Sequence, residues 1–347
     1  MLATRFTERY GCRHPFAGAG MAWVCEDPDF AAGVCAAGGV GPLTGLPAVL
    51  SADQLRERIR ELQRRTDGPF HVNLISAFPN EEQVQVCAEE QVPIVSFHWG
   101  HPPAAELAQL REAGVSVWEQ VGSAEAARRA VADGVDAVIA QGTEAGGHNY
   151  GELPTLVQVP EIVDAVSAEA LVLAAGGIVD GRQVAAALCL GADAVWVGTA
   201  LVASTEANVH PEHKRRLVAA ASTDSVVTSI FGPEMPDFNP MRVLRNRVVA
   251  EYEGRLDEVP TDRDDLEQIG RTVWLGEEIV VRKFHAFVPL PETSGDWEEM
   301  AWLAGQGVGL IREIRPVVEI VEDVMGQAEA VLSRLAGALR SSPVPSR

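Results

Sequence analysis

The chain has 347 residues, of which 47% are hydrophobic and 22% charged, so it can bury a large core and is not disordered over most of its length. Its 28 basic and 49 acidic residues give a formal net charge of −21, which argues against a nucleic-acid backbone or an anionic membrane as the partner. No apolar run approaches the roughly 18 residues of a membrane span. The charged N-terminus contains no apolar signal core, so we expect a cytoplasmic protein.

The five cysteines, Cys12, Cys25, Cys35, Cys87 and Cys189, are odd in number and widely spaced, and no CxxC pair occurs. This pattern argues against a disulfide framework or a structural zinc site and favours reduced, mostly buried thiols. Histidines and carboxylates do not occur at metal-ligand spacing, so we expect no metal.

Eight short apolar runs recur along the chain, most of them about 20 to 30 residues apart, which is the length of one β-α unit. Both faces of these runs are apolar, as expected for parallel strands that helices cover. The predicted strands are Pro15–Gly20, Val40–Thr44, Phe70–Ile75, Ile94–Trp99, Val115–Val121, Ala137–Gln141, Leu171–Ala175 and Ala194–Thr199.

Amphipathic stretches rich in Ala, Glu, Arg and Leu lie between the strands and predict helices, several of which end before a glycine. The predicted helices are Ser51–Arg65, Glu81–Glu90, Ala104–Ala113, Ala124–Asp133, Pro160–Val166 and Arg182–Leu190.

Eight alternating β-α units are compatible with a closed barrel or with a large doubly wound sheet. The last two runs end in glycines, at the position where barrels commonly hold a phosphate, and the first fifty residues contain no GxGxxG motif. We therefore predict an α/β fold, a (β/α)8 TIM barrel over residues 1–205 with a smaller C-terminal subdomain.

The β-α pattern ends after about residue 205. Residues 206–297 contain Pro, Asn and Met clusters such as FGPEMPDFNPMRVLRN, and we interpret them as the subdomain, inserted over the barrel mouth to cover the substrate. Residues 298–340 have a helical pattern with a break at Pro316, and these helices are expected to return to the barrel. Residues 341–347 are expected to form a disordered tail.

The connection after the sixth strand is the longest in the predicted barrel, and it carries Gly146, Gly147 and His148. Long loops in compact folds are usually functional, and barrel enzymes place catalytic groups at the C-terminal ends of strands. Because histidine is suited to proton transfer near neutral pH, we predict that His148 is a general base. The alternative is that the glycines only form a turn and the histidine is solvated.

Two glycine-bearing turns, Gly176-Gly177 and Gly198-Thr199, end the seventh and eighth strands. If they face one another, their backbone N–H groups and the Thr199 hydroxyl can form a cradle for a phosphate. The alternative is that the glycines only relieve crowding at tight turns.

Small or polar residues also occur in or after other strands. Gly20 and Met21 are placed to lie beside a flat aromatic ring, although a methionine is as often a core residue. Asn73, within an apolar strand, needs hydrogen-bond partners, which a cofactor edge or a neighbouring loop would provide. Gln120 and Gln141 are similar polar positions at the ends of the fifth and sixth strands.

His98 and His101 flank Gly100 after the fourth strand and are candidates for the substrate space, the alternative being surface positions. A phosphate cradle at the last two strands and an apolar mouth at the first strand together fit flavin mononucleotide (FMN). Its ring would lie across the barrel top, with His148 on the side of the substrate.

The residues quoted above resemble those of the nitronate monooxygenases, formerly 2-nitropropane dioxygenases, which are FMN-dependent barrels. The resemblance runs from about residue 15 to about residue 325, and its most specific pair is QGTEAGGH with AAGGIVDGR. Other matching stretches are GAGMAWV, HVNLI, VSFHWGHP, RVLRN and LAGQGVGLIREI.

The resemblance implies that His148 removes the α-proton of a nitroalkane or orients a nitronate, and that oxygen completes the oxidation to a carbonyl compound and nitrite. The chain departs from the family at Ala200, where an arginine often stands, and at His101, where many members have an aspartate. The implied FMN contacts are Asn73, Gln141, Gly146, Gly147, Gly176, Gly177, Gly198 and Thr199, with Gly20 and Met21 near the ring.

Two alternatives to a monooxygenase stay open. Flavin reductases that take hydride from NAD(P)H and act on quinones or enoyl thioesters share this scaffold and its GGH loop. The other alternative is a flavin-binding protein without catalysis. The expected partners are a nitronate or nitroalkane and oxygen, with a homodimer as the default assembly.

Overall fold

A computed structural model describes residues 2–47, 50–233, 235–261, 266–274 and 276–341. Eight parallel strands form its main sheet, and one of them lies within each of the eight runs that the sequence predicts. These strands are β1 (Phe16–Gly18), β2 (Gly41–Thr44), β3 (Phe70–Ile75), β4 (Ile94–His98), β5 (Ser116–Val121), β6 (Ala137–Gln141), β8 (Leu171–Ala175) and β9 (Ala194–Val197).

The sheet is closed into a barrel. Its strand order is β1-β9-β8-β6-β5-β4-β3-β2, and every neighbouring pair is parallel. A parallel bridge between Ala17 and Val40 joins the two ends. There the Gly18 N–H donates to the Val40 carbonyl at 3.0 Å, and the Val40 N–H donates to the Phe16 carbonyl at 2.9 Å. The predicted (β/α)8 barrel is therefore confirmed and the doubly wound sheet is excluded.

Large side chains fill the barrel interior. Trp118 and Trp196, on β5 and β9, pack with small and aliphatic residues of the other strands. The short helix α1 (Arg5–Tyr10) closes the end opposite the site: Phe6 is fully buried against Trp118, whose indole N–H donates to the Tyr10 hydroxyl at 2.7 Å. The interior is thus a packed core, and only the other end of the barrel is open to a ligand.

Helices surround the barrel, and their ends follow ordinary capping rules. Ser51, the first residue of a predicted helix, caps α3 in a capping box. The helix between β1 and β2 was not predicted, because its buried apolar residues leave no polar stripe to reveal the helical period. The helices are α2 (Pro28–Ala36), α3 (Ala52–Arg65), α4 (Glu81–Glu89), α5 (Ala104–Glu112), α6 (Ala124–Ala132), α7 (Thr155–Val166), α8 (Gly181–Cys189) and α9 (Thr199–Val202).

The segment 206–297 forms two small sheets, and we refer to it as the cap. Its strand β11 pairs with β7, which is Gly147–His148, so the cap is bonded directly to the loop after β6. The cap has its own buried cluster, which includes Phe231, Val243 and Phe284. Its elements are α10 (Pro211–Ala219), β10 (Ser225–Thr228), β11 (Met241–Leu244), α11 (Arg247–Tyr252), β12 (Gln268–Trp274), β13 (Glu277–Arg282) and β14 (Ser294–Gly295), with 3-10 turns at Ser222–Asp224, Pro236–Phe238 and Leu256–Glu258.

The C-terminal region differs from the prediction. Residues 298–316 are not α-helical: they contain 3-10 turns at Trp297–Glu299 and Gln306–Leu310 and otherwise extended chain. A Cβ at Gly307 would lie 2.3 Å from the Gly177 carbonyl oxygen, so this stretch is shaped by close packing onto the turn after β8. One helix, α12 (Val317–Ser341), then returns to the barrel against α8 and α2.

Three further observations complete the fold. Residues 342–347 of the predicted tail lie outside the described residues, and Ser341 belongs to α12. In the described part of the chain, no helix is both long enough and apolar enough to cross a membrane. The five cysteines are free thiols, and only Cys189 is exposed.

Candidate active site

A cavity of about 660 Å³ lies at the C-terminal ends of the barrel strands. This volume is within the range of about 300–1,000 Å³ of small-molecule and cofactor sites. Barrel residues form its base, and Ile279, Val280 and Phe287 of the cap form its outer wall. Among the described residues, the lining contains no Lys, Arg, Asp or Glu, so any charge on a ligand must be met by backbone groups or histidines.

His148 lines the cavity from β7, directly after Gly147, whose φ is +73°. The His148 Nδ1 lies 2.5 Å from the Phe238 carbonyl oxygen. Since a carbonyl oxygen only accepts hydrogen bonds, Nδ1 carries the proton and Nε2 keeps its lone pair. Burial lowers the pKa of His148 to about 4, although the bond to Phe238 acts in the opposite direction. His148 is therefore neutral at physiological pH and can accept a proton at Nε2.

The loop that carries His148 is fixed at both ends. The Gln141 amide donates to the His148 carbonyl at 3.0 Å and accepts from the Tyr150 N–H at 2.9 Å. Arg242 of the cap, which is buried, donates to the Thr143 carbonyl at 2.9 Å. The side chain of Gln141 is thus used by the loop itself, and its role as a cofactor contact stays a prediction.

Trp99 holds the partner of His148 in place. Its ring lies edge-on to His148 with centroids 4.2 Å apart, and it stacks on Phe238 at 4.9 Å with an interplanar angle of 19°. The indole N–H donates to the Asp237 carbonyl at 2.9 Å. Trp99 has a φ of +66°, which an L-residue rarely adopts, and such strain is common at functional sites. The sequence interpretation missed Trp99 and Phe238; the only signal was an aromatic residue at a strand end.

The two histidines after β4 have different positions. His98 lines the cavity, and its Nδ1 donates to the Leu74 carbonyl at 3.1 Å. Burial and the nearby His148 lower the pKa of His98 to about 4. His101 lies outside the cavity lining: its Nδ1 is 2.8 Å from Glu119 and its Nε2 is 3.1 Å from Asp133. His101 therefore ties the strand 4 connection to β5 and α6 and does not belong to the substrate space.

The two predicted glycine turns meet at one end of the cavity. Gly176 and Gly177 have φ values of +113° and +70°, and with Gly198 and Thr199 they line the cavity. Thr199 begins α9, and its hydroxyl accepts from the Gly305 N–H at 2.9 Å, which leaves the hydroxyl proton for a ligand. This end presents uncharged donors, mostly backbone groups, as a phosphate site built on glycines does.

Gly20 and Met21, at the end of β1 beside β9, also line the cavity, as does Gln120, and a Cβ at Gly198 would lie 3.5 Å from the Met21 sulfur. A Cβ at Gly20 would lie 2.1 Å from Cγ of Asn73, so the packing of this amide is one reason for the glycine. Asn73 is buried outside the cavity lining, and its Nδ2 donates to the Ser96 hydroxyl at 2.9 Å. Asn73 thus packs behind the β1 end, and a direct contact with a cofactor stays a prediction.

The residues present fit a flavin better than a metal. The cavity has a backbone-lined end for a phosphate, an apolar body for a flat ring, and Gly146 at its wall, where a Cβ would lie 2.4 Å from the Gly305 nitrogen. Across the described ranges, no group of three His, Cys, Asp or Glu side chains is placed to hold a metal ion. The barrel and this cavity together fit the class of flavin-dependent oxidoreductases.

The comparisons with known proteins identify the family. The family model for nitronate monooxygenase matches residues 3–83 and 76–327, so the chain belongs to the nitronate monooxygenase family. Members of this family are flavin-dependent, and the protein is an oxidoreductase.

The chain is similar to two curated proteins and to one solved structure over most of its length. The chain is 37% identical, over 73% of its length and 69% of the relative's, to a (3aS,4S,5R,7aS)-5-hydroxy-7a-methyl-1-oxo-octahydro-1H-indene-4-carboxyl-CoA dehydrogenase of Mycobacterium tuberculosis. It is 32% identical to a probable nitronate monooxygenase of Staphylococcus saprophyticus, over 75% of this chain and 83% of that one. The structure of FabK from Thermotoga maritima matches 97% of this chain and all of its own, with 37% identity and a TM-score of 0.77.

Proposed function

We propose that the protein uses FMN and oxygen to oxidise alkyl nitronates and nitroalkanes to carbonyl compounds and nitrite, with His148 as the general base. The observation that carries the proposal is the tautomer of His148. Its Nδ1–H is held by the Phe238 carbonyl at 2.5 Å, so the ring offers an unprotonated Nε2 for the α-proton of a neutral nitroalkane.

The residues that would hold FMN are those of the two glycine turns and of the β1 end. The N–H groups around Gly176, Gly177 and Gly198 and the Thr199 hydroxyl would bind the phosphate, while Gly20, Met21 and Gln120 would lie along the ring. When bound, FMN supplies the redox chemistry, accepting electrons from the substrate and passing them to oxygen.

The protein's own contribution is orientation and exclusion of water. Trp99 and Phe238 keep His148 in position, and the apolar cap wall at Ile279, Val280 and Phe287 shields the reacting carbon from solvent. In such an environment a hydrogen bond or a charge on a histidine interacts more strongly with the substrate than it would in water.

Replacing His148 with Asn tests this role. The variant should lose about 100-fold or more in kcat/KM for a neutral nitroalkane, in line with the usual contribution of a general base. Oxidation of the pre-formed nitronate should fall by less than about tenfold, because that substrate has already lost its α-proton. The rates are measured as oxygen consumption and nitrite release. An equal loss on both substrates would remove His148 from proton abstraction.

A second candidate is an NAD(P)H-dependent reductase that acts on a thioester-linked substrate. Two observations favour it: the 37% identity to a carboxyl-CoA dehydrogenase, and the apolar cap wall of Ile279, Val280 and Phe287, which can pack against an acyl group. The test is the visible spectrum of the purified protein under anaerobic conditions. Bleaching by NADH or NADPH within seconds would favour the reductase, whereas bleaching by an alkyl nitronate alone supports the monooxygenase. A flavin that neither donor reduces would favour a non-catalytic flavin protein.

A further inference from the structure

We propose that His98 and His148 form a two-imidazole proton site, so that an anionic substrate enters the cavity together with one proton from solvent. The inference rests on the proposed function and extends it, because it gives His98 a role and states the charge of the occupied site.

Each imidazole is fixed by a backbone carbonyl in the same way. His98 Nδ1 lies 3.1 Å from the Leu74 oxygen, and His148 Nδ1 lies 2.5 Å from the Phe238 oxygen. Both Nδ1 atoms must therefore donate, and both Nε2 atoms keep a lone pair. The two rings line the same cavity and contact the same indole, Trp99, with centroid distances of 6.2 Å and 4.2 Å.

Two Nε2 atoms that can only accept hydrogen bonds do not bind an anion favourably. A nitronate has only acceptor oxygens near its reacting carbon, and in the part of the cavity that the structure describes no lysine or arginine compensates its charge. An uncompensated buried charge costs several kcal/mol. One proton on either Nε2 turns that atom into a donor and supplies the opposite charge.

The proton has to come from solvent when the anion binds. Burial lowers the pKa values of His98 and His148 to about 4, so neither ring is charged in the free enzyme at neutral pH. Among the described residues, no Lys or Arg lines the cavity: the buried Arg242, and Arg129, which faces Glu119 and Tyr150, lie outside its lining. The titratable groups near the pair are Tyr150, Glu119 with its partner His101, Asp237, His213 and His285.

Both substrates then reach a site with the same charge. From a neutral nitroalkane, the α-proton moves to His148 Nε2 and the electron pair of the C–H bond enters the nitro group, which leaves a nitronate beside an imidazolium. A pre-formed nitronate reaches that state by bringing one proton from water. Because His98 can hold this proton, the loss of His148 alone leaves nitronate binding intact.

The pH dependence of kcat/KM for ethyl nitronate tests the inference. Between about pH 7.5 and about pH 9.5, binding with one proton predicts a tenfold fall per pH unit. We expect this slope in the wild type and in each single variant, His98→Gln and His148→Asn, and a flat profile in the double variant. Retention of the flavin spectrum in each variant controls for folding. A flat wild-type profile, or loss of the slope in His148→Asn alone, overturns the inference.

Proton uptake can also be read without turnover. Mixing the pre-reduced holoenzyme anaerobically with ethyl nitronate prevents turnover, because a reduced flavin accepts no electrons from the nitronate. In weakly buffered solution with a pH indicator, binding should consume about one proton per occupied site, and none in the double variant. If nitronate is oxidised with no uptake and no slope, the proposed function stands and this inference fails. A protein that oxidises no nitronate at any pH overturns the proposed function and this inference with it.

Discussion

At the scale of single residues, the orientation of His148, the proposed general base, depends on Trp99, which bonds to the turn that holds the histidine. Trp99 stacks on Phe238 and donates to the Asp237 carbonyl, so it fixes the turn whose next carbonyl orients His148. We class Trp99 as a positioning residue, since its hydrogen bond and its stacking act on the partner of His148.

Replacing Trp99 with Phe should lower kcat/KM for a neutral nitroalkane by about three- to tenfold. The variant keeps an aromatic ring beside His148 but loses the N–H bond to Asp237, which is worth roughly 0.5–1.5 kcal/mol. Nitronate turnover provides the internal control, because it does not require an oriented base and should change by less than about twofold. Equal losses on the two substrates would mean that Trp99 only supports the fold.

At the same scale, the sequence selects His148 as a candidate but not the residues that hold it. The glycines around His148 and its place after a barrel strand point to it and the structure places it in the cavity wall, while its role as general base stays a prediction. Trp99 and Asp237 are 138 positions apart in the chain, and no local pattern brings them together. His101 shows the opposite error: its position beside Gly100 suggested the substrate space, whereas its ring is bound by Glu119 and Asp133.

At the scale of elements, a hydrogen bond between Trp274 and Glu26 links the hairpin of β12 and β13 to the barrel. The Trp274 indole N–H donates to Glu26 at 3.1 Å, and Trp274 also packs edge-on against Trp23. Glu26 is only 6% exposed and has one other charged partner, Arg58 at 3.5 Å, among the described residues. The hairpin carries Ile279 and Val280 of the cavity wall, so this contact helps to hold that wall in place.

Replacing Trp274 with Phe should therefore loosen the hairpin without unfolding the barrel. An unsatisfied buried carboxylate oxygen costs roughly 1–3 kcal/mol, so amide exchange in β12 and β13 should accelerate by about ten- to 100-fold. Exchange in β4 and β5 of the barrel should stay unchanged. Hydrogen exchange read by mass spectrometry measures both. Equal acceleration in the barrel strands would show a global loss of stability instead of local opening.

The elements also show where sequence patterns are informative. The eight barrel strands were predictable because each is a short run that is apolar on both faces, and the runs are spaced by about the length of one β-α unit. Helix α7 begins at Thr155, five residues before the predicted start at Pro160. The predicted start was late because a proline usually marks the first turn of a helix, whereas here Pro160 lies inside it. The stretch 298–316 was predicted as helix, yet its glycines pack too closely on the active-site turns for regular structure.

At the scale of the whole molecule, four histidines with lowered pKa values limit the stability of the fold in acid: His71 and His213 are buried, and His98 and His148 are half-buried. Burial lowers the pKa values of His71, His98, His148 and His213 to about 4. In the unfolded chain each would titrate near 6.5, so between about pH 6.5 and pH 4 the unfolded state binds more protons than the native state. Glu106 acts in the opposite direction, because burial raises its pKa to about 7.

The free energy of unfolding should therefore be at its full value above about pH 6.5 and should fall as the pH drops below it. Each histidine contributes up to roughly 1.4 kcal/mol per pH unit in this range, and Glu106 offsets part of the sum. Urea unfolding at several pH values between about 7 and 5 measures the slope. His71→Gln removes one of the four groups from the interior of the barrel, where His71 is bonded to the Gly18 carbonyl and the Ser96 hydroxyl. In this variant, the slope of the free energy of unfolding against pH should correspond to about one proton fewer than in the wild type, whatever the absolute stability of the variant. An unchanged slope would show that His71 does not take up a proton on unfolding.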